Sequence, residues 1–282
     1  MVESEKRKLV FFNHDERPDS PRLSEDLSDF AMPCRPMREV KTPMIKELRT
    51  MIVFVAGMPR SGSTFTFNIV RGLLEPRGRL HQAPVESVLS AVENAGPAEH
   101  LIFKGHAADE LTVKLVKLGA IKVVCSVRKP EDAIASWMNT FGFSLEESIA
   151  AMERWILLYR QVRGNSLVLR YEHIETDPFG TARIIAQYVC PDSDVEEVDT
   201  ICRSFTKERV QRLCENIEKG GVAIRNVGFS SYDSVTFFHR RHVTCVEEKR
   251  AGTRIGSDEM STIRSALKSH CDAAGYLNQH PF

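Results

Sequence analysis

Eight consecutive residues carry the clearest chemical signal in this chain: Gly57-Met58-Pro59-Arg60-Ser61-Gly62-Ser63-Thr64. They follow the apolar run Met51–Ala56 and precede a segment of helical periodicity. A turn between a strand and a helix aims backbone N–H groups and the positive helix end at an anion. The spacing nearly satisfies G-x-x-x-x-G-K-[ST], the loop that cradles nucleoside triphosphates. Gly57, Gly62 and Thr64 fit, but Ser63 stands where a lysine would reach the β- and γ-phosphates. That departure argues against an ATPase or GTPase, while Arg60 supplies a cation inside the turn. The bland alternative is an ordinary tight turn; the run Pro59-Arg60-Ser61-Gly62-Ser63-Thr64 favours an anion loop instead.

A second candidate anion site lies in Cys125-Ser126-Val127-Arg128-Lys129-Pro130, which runs on to Ser136 and Trp137. Arg128 falls at a strand end, and Ser136 follows eight residues later, two turns into the next helix. A strand-end arginine and a helix-face serine can converge on one phosphate, the arginine giving charge-assisted, forked bonds. Between these two segments, Phe103-Lys104-Gly105-His106 places a lysine and a histidine just beyond another short apolar run.

Positioning these groups requires a particular scaffold. Met51–Ala56 is β-favouring and unbroken by polar residues, as for a strand buried on both faces. Leu101–Phe103, Ile121–Val127 and Ser166–Tyr171 read as further strands. Helices are predicted over Ser63–Leu74, 84–94 with Pro84 at its start, Asp109–Leu118, from Pro130, from the capping box Ser144/Glu147 to about Val162, and over 178–189, 194–203 and 206–219. Gly220-Gly221 closes the last of these; residues 222–256 read as irregular and basic, and Ser257 opens a final helix ending at Gly275. Alternating strands and helices mean an α/β fold, a parallel β-sheet flanked by helices on both faces. Ligands of such sheets bind beyond the C-terminal strand ends, which is where Gly57–Thr64, Lys104–His106 and Arg128 fall.

Composition narrows the function classes. The chain has 282 residues, 38 Lys+Arg against 38 Asp+Glu, 42% hydrophobic and 27% charged residues. Zero formal net charge speaks against a broad nucleic-acid surface without excluding a local basic pocket. The apolar run near Met51 is far too short for a membrane span, and Leu9-Val10-Phe11-Phe12 too short for a signal-peptide core. The 7 cysteines are odd in number and scattered without a C-x-x-C, which disfavours a zinc site or disulfide framework and favours a reducing, cytoplasmic setting. Residues 1–48, rich in charge and proline, read as a flexible arm; residues 49–282 read as a single α/β domain.

The loop Pro59–Thr64 resembles the 5′-phosphosulfate-binding loop of sulfotransferases, and Arg128 with Ser136 resembles their 3′-phosphate motif. The resemblance implies a P-loop NTPase-like three-layer sandwich that uses 3′-phosphoadenosine-5′-phosphosulfate (PAPS) and releases 3′,5′-adenosine bisphosphate (PAP), with no metal. It implies donor contacts from Arg60, Ser61, Gly62, Ser63, Thr64, Arg128 and Ser136. Lys104-Gly105-His106 is similar to the Lys-Thr-His that carries the catalytic histidine in cytosolic members, with Gly105 in the middle position. His106 is thus the first candidate base, a neutral imidazole being suited to taking a hydroxyl proton. Glu86 is the second, because other branches use a glutamate after the first helix; its alternative reading is a helix-dipole partner. Arg60 and Lys104 would stabilise charge on the transferring group.

Lys249–Gly256 falls where the family closes over the donor, making Arg250 and Arg254 candidate 3′-phosphate ligands; the family's tryptophan is absent there. Phe237, Phe238, His239 and His242 are candidates either for an acceptor pocket or for core. Arg170-Tyr171-Glu172 reads as mainly structural.

The expected activity is sulfuryl transfer from PAPS to a hydroxyl or amine of a small-molecule acceptor. A P-loop small-molecule kinase, disfavoured by Ser63, and a non-catalytic nucleotide-binding protein are the alternatives. No nucleic-acid or membrane partner is expected. The oligomeric state is open, a homodimer among the options.

Overall fold

The structure, a computed structural model, describes residues 50–218, 224–227, 230–239, 255–268 and 270. All of them fall within one compact unit, Glu47–Phe282. The arm read over residues 1–48, the glycine pair after the 206–219 helix, Arg250, Arg254, His242 and the helix end at Gly275 lie outside the described residues.

Five parallel strands form the central sheet: β1 (Met51–Val55), β2 (Leu80–Ala83), β3 (His100–Lys104), β4 (Lys122–Val127) and β5 (Ser166–Arg170). Their order is β2-β3-β1-β4-β5, so β1 lies in the middle. Val53, Phe54, Val55 and Ala56 are each 0% exposed, which explains the unbroken apolar run. Strand side chains alternate between faces, and the two faces have different cover. Val53 and Val55 pack with α1 (Ser63–Leu74), α7 (Pro178–Val189) and α8 (Val195–Arg203). Phe54 and Ala56 pack with α2 (Val88–Glu93), α3 (Glu110–Lys117), α4 (Pro130–Phe141), α5 (Leu145–Val162) and α10 (Ser257–Ala266). The result is the three-layer α/β sandwich expected of the sequence. Phe54 and Phe103 stack across β1 and β3, with ring centroids 4.5 Å apart.

Local signals set most element ends. The Ser144 hydroxyl accepts from Glu147 N while the Glu147 carboxylate accepts from Ser144 N, the capping box that opens α5. Asp109 and Asp194 cap α3 and α8 in the same acceptor role. The remaining helices are α6 (Tyr171–Thr176) and α9 (Lys207–Glu218), so Tyr171 begins a helix rather than ending a strand. Among the described residues no helix is long and apolar enough to cross a membrane.

Two regions depart from the sequence reading. The helix expected over 84–94 begins only at Val88, capped by Ser87 Oγ, and the residues before it include the edge strand β2. Pro84 therefore belongs to a loop, and so does Glu86. Within 222–256, β6 (Ile224–Val227) and β7 (Ser230–Asp233) form an antiparallel pair. These strands are short and lack an apolar alternation, so periodicity alone could not reveal them.

One buried hydrogen bond ties the second layer to the strand end that launches the anion loop. Trp155, 0% exposed on α5, donates Nε1–H to the carbonyl of Ala56 at 3.0 Å. Trp155→Phe removes the donor and leaves that carbonyl unsatisfied, at an expected cost of about 1–3 kcal/mol. Urea unfolding followed by circular dichroism measures it; an unchanged midpoint would mean the bond contributes nothing to stability.

Candidate functional site

The loop after β1 has the backbone of an anion cradle. Gly62 sits at φ 83, in the left-handed region, and caps α1 without a side-chain hydrogen bond. A Cβ there would lie 3.0 Å from Ile174 Cδ1. At Gly57 a Cβ would overlap the side chain of Ser63 and sit 2.5 Å from Ser126 Oγ, so only glycine fits. Among the described residues the amides of Gly62, Ser63 and Thr64 make no hydrogen bond, as befits a helix start. The hydroxyls of Ser63 and Thr64 likewise have no partner among the described residues. Ser61 differs from the expectation of a donor contact. Its fully buried hydroxyl is taken up by Met58 O at 2.6 Å, Ser126 O at 3.0 Å and Ser126 Oγ at 2.7 Å, and its amide donates to Met58 O. Ser61 braces the turn.

The three central strand ends bring three cations together. Arg60 has φ 62, a strained value for a residue with a Cβ. Its Nε donates to Ser136 Oγ at 3.0 Å, and its Nη1 lies 3.1 Å from His239 Nε2. Arg128, 5% exposed, donates from Nη1 to the carbonyl of Arg60 at 3.0 Å, and its guanidinium lies 4.2 Å from the centre of the Tyr171 ring. Arg128 and Ser136 thus both contact Arg60, Arg128 at its backbone carbonyl and Ser136 at its guanidinium. Tyr171, read as a core residue, is also part of the site.

Arg60 has neutral hydrogen-bond partners, and Lys104 has no hydrogen-bond or ion-pair partner among the described residues. Burial, then Arg128, lowers the Arg60 pKa to about 10. Burial, then Arg60, lowers that of Lys104 to about 8. Buried positive charge without a counter-ion is costly, so the pocket is arranged for an anion.

His106 lies beside this charge. Its Nδ1 is 2.6 Å from the carbonyl of Gly57. A carbonyl only accepts, so Nδ1 carries the proton and Nε2 is left with its lone pair. Burial, then Lys104, lowers its pKa to about 3, against a smaller raising effect of the Gly57 bond. Glu86, the rival base, is exposed and adjacent: the His106 amide donates to its Oε1 at 3.4 Å. Glu86 lies just before the Ser87 cap of α2 rather than in its first turn. A Cβ on Gly105 would come within 3.0 Å of Glu86 Cγ and Val85 O, which accounts for glycine in this position.

Rings surround the remaining edge. Trp137 meets His106 edge-on at 6.1 Å, and Phe141 and Phe143 lie 5.7 and 5.9 Å from Trp137. Phe141 also lies 5.2 Å from His239 and 5.9 Å from the Arg60 guanidinium carbon. Of the other late aromatics, Phe238 is core, 2% exposed, and Phe237 stacks on Phe67 at 4.6 Å. His239 was the site residue hardest to single out, since it lies 179 residues from Arg60 in sequence. Among the described residues no group of three or more His, Cys, Asp or Glu could hold a metal ion.

A parallel α/β sandwich with a strand-to-helix anion loop, a neighbouring strand-end arginine and an oriented histidine defines a group-transfer enzyme handling an anionic donor. The family model for the sulfotransferase domain matches residues 51–220, and the chain belongs to that family. The fold is similar to that of mouse sulfotransferase SULT7A1 complexed with PAP, at 15% identity and TM-score 0.58, covering 80% of this chain and 86% of that one. It is also similar to retinol dehydratase in complex with androsterone and inactive cofactor PAP, at 13% identity and TM-score 0.51, covering 83% of each chain. No curated protein matches the sequence.

The buried histidines link stability to pH. His106 and His239 are lowered to about 3 and His270 to about 4, in each case chiefly by burial. The folded state keeps them neutral where the unfolded chain, with pKa about 6.5, takes up protons. Their contribution is complete above about pH 6.5 and is lost as pH falls toward the folded values, by at most about 1.4 kcal/mol per pH unit for each ring. Urea midpoints should therefore fall between pH 7 and pH 5, and less steeply in His106→Gln. Equal slopes in the two proteins would mean that His106 is protonated alike when folded and unfolded.

Proposed function

We propose that this protein moves a sulfuryl group from PAPS to a hydroxyl or amine of a small-molecule acceptor. The observation that carries the reading is the pair of cations, Arg60 and Lys104, held at an anion loop without a carboxylate partner among the described residues. The donor supplies an activated sulfuryl group bonded through oxygen to a phosphate. The open amides of Gly62, Ser63 and Thr64 and the Ser63 and Thr64 hydroxyls suit its 5′ end, with Arg60 and Lys104 offsetting the charge that develops there. Arg128 and Ser136, both in contact with Arg60, suit the 3′-phosphate. Arg250 and Arg254 are proposed to add to it. Ser61 acts through the turn it braces.

His106 is the base in this reading. Its Nε2 takes the acceptor proton, while the Gly57 carbonyl holds the ring in the required tautomer. Glu86 holds the His106 amide. The aromatic edge of Trp137, Phe141 and Phe143 suits an organic acceptor rather than water. A P-loop kinase is set aside by family membership. The single α/β domain over 49–282 remains part of the proposal. A cytoplasmic location is supported by the buried, unbridged thiols of Cys125, Cys190 and Cys202.

PAP should raise the melting temperature far more than AMP does, and Arg128→Ala should cost about 2–4 kcal/mol of PAP affinity. Equal shifts for the two nucleotides would remove the 3′-phosphate site. With an acceptor found by radiolabelled PAPS transfer, His106→Ala should lose about 10²–10⁴-fold in kcat, and Glu86→Gln much less. The acid limb of kcat/KM, which reports the free enzyme, should lie below the ordinary histidine range, because the His106 pKa is lowered to about 3. The limb of kcat should lie higher, since a seated anion offsets Lys104. A dead Glu86→Gln with an active His106→Ala would move the base to Glu86, and PAP binding without turnover on any acceptor would favour a non-catalytic role.

A further inference from the structure

We propose that His239 is the positioning residue for Arg60, holding its guanidinium toward the 5′ end of the bound nucleotide. The inference rests on the donor reading above and names a residue that the loop motif does not contain.

The contact is specific in kind. An arginine can only donate, so in the 3.1 Å contact from Arg60 Nη1 the His239 Nε2 must accept, with its ring neutral. Burial, then the charges of Arg60 and Lys104, lowers the His239 pKa to about 3, which keeps that lone pair available. Ser136 Oγ takes the Nε proton and His239 takes one from Nη1. Nε and Nη1 are thereby both held, leaving Nη2 for an anion.

The arm that delivers His239 is itself built for the purpose. Asp233 Oδ1 accepts from the amides of Val235 and Thr236 and from the Thr236 hydroxyl, at 3.1, 2.7 and 2.8 Å. Asn68 Nδ2 on α1 donates to Thr236 O at 2.7 Å, and Gln82 Nε2 on β2 donates to Ser234 O and Val235 O at 3.2 and 3.0 Å. An isolated bridge pairs His239 with Tyr232. Phe237, two residues before His239, has φ 56 and stacks on Phe67. Arg60 and Phe237 are the positive-φ residues other than glycine among those described, and each lies in one of the two segments that meet here. Strain of this kind persists only where surrounding contacts over-determine it. Here both strained residues serve the one contact.

The test needs no acceptor. Calorimetry compares PAP with adenosine 3′-monophosphate; the ratio of their Kd values isolates what the 5′-phosphate gains. His239→Ala should cut that ratio about 10-fold while leaving the 3′-monophosphate affinity unchanged, and His239→Gln, which keeps an acceptor near Nε2, should restore most of it. In an Arg60→Ala background His239→Ala should have no further effect. Thermal melts check that each variant is folded. If His239→Ala does not fold, the Gln and Arg60→Ala/His239→Gln proteins decide: a wild-type ratio in Gln that collapses with Arg60→Ala supports the proposal. A wild-type ratio in folded His239→Ala, a loss equal for both nucleotides, or a ratio that Gln does not restore overturns it alone. Wild-type protein that binds neither nucleotide overturns the donor reading and this proposal with it.

Discussion

Positive charge gathered where three parallel strands end is the constraint on which this structure turns. The order β3-β1-β4 puts Lys104, the loop of Arg60 and Arg128 on adjacent strand ends. Neighbouring parallel strands lie about 4.8 Å apart, so the topology forces the cations together. Arg60 meets neutral acceptors, Ser136 Oγ and His239 Nε2, and Arg128 meets the Arg60 carbonyl and the Tyr171 ring. An anion between them would supply the countercharge that Arg60 and Lys104 otherwise lack among the described residues.

The same charge governs the candidate base. Lys104 lies two residues from His106 and lowers its pKa after burial does. A bound anion would offset the part of that lowering due to Lys104, while the larger effect of burial remains. In the proposed reaction, base strength would then follow occupancy of the donor site through this Coulomb interaction. The tautomer does not depend on occupancy, because the Gly57 carbonyl belongs to the loop backbone. One glycine therefore serves two ends: its missing Cβ lets the loop close on Ser63, and its oxygen orients the His106 ring.

Much of the scaffold was legible because its signals are local. Ser63–Leu74 and Pro178–Val189 matched to the residue, since a glycine-rich turn and a proline at the first position are local marks of a helix start. The Ser144 box behaved likewise. The helix expected over 84–94 failed because Pro84 is equally at home after an edge strand, and Leu80–Ala83 is an edge whose pairing with β3 lies outside any local window. The β6–β7 pair failed for another reason: its strands are short and carry no apolar alternation.

The anion loop, the strand-end Arg128 with Ser136 two helical turns away, and the Lys104–His106 pair were determined by sequence alone, because each is a short spacing attached to a strand end. What only the tertiary structure decided is how these groups face one another. Ser61 turned into the core because Ser126 lies opposite it. Glu86 came to rest on the His106 amide because β2 pairs with β3 and sets the two loops side by side. His239 reached Arg60 because a turn pinned to α1 and β2 carries it across the sheet edge. Such contacts depend on packing between elements far apart in the chain, and no periodicity or spacing encodes them.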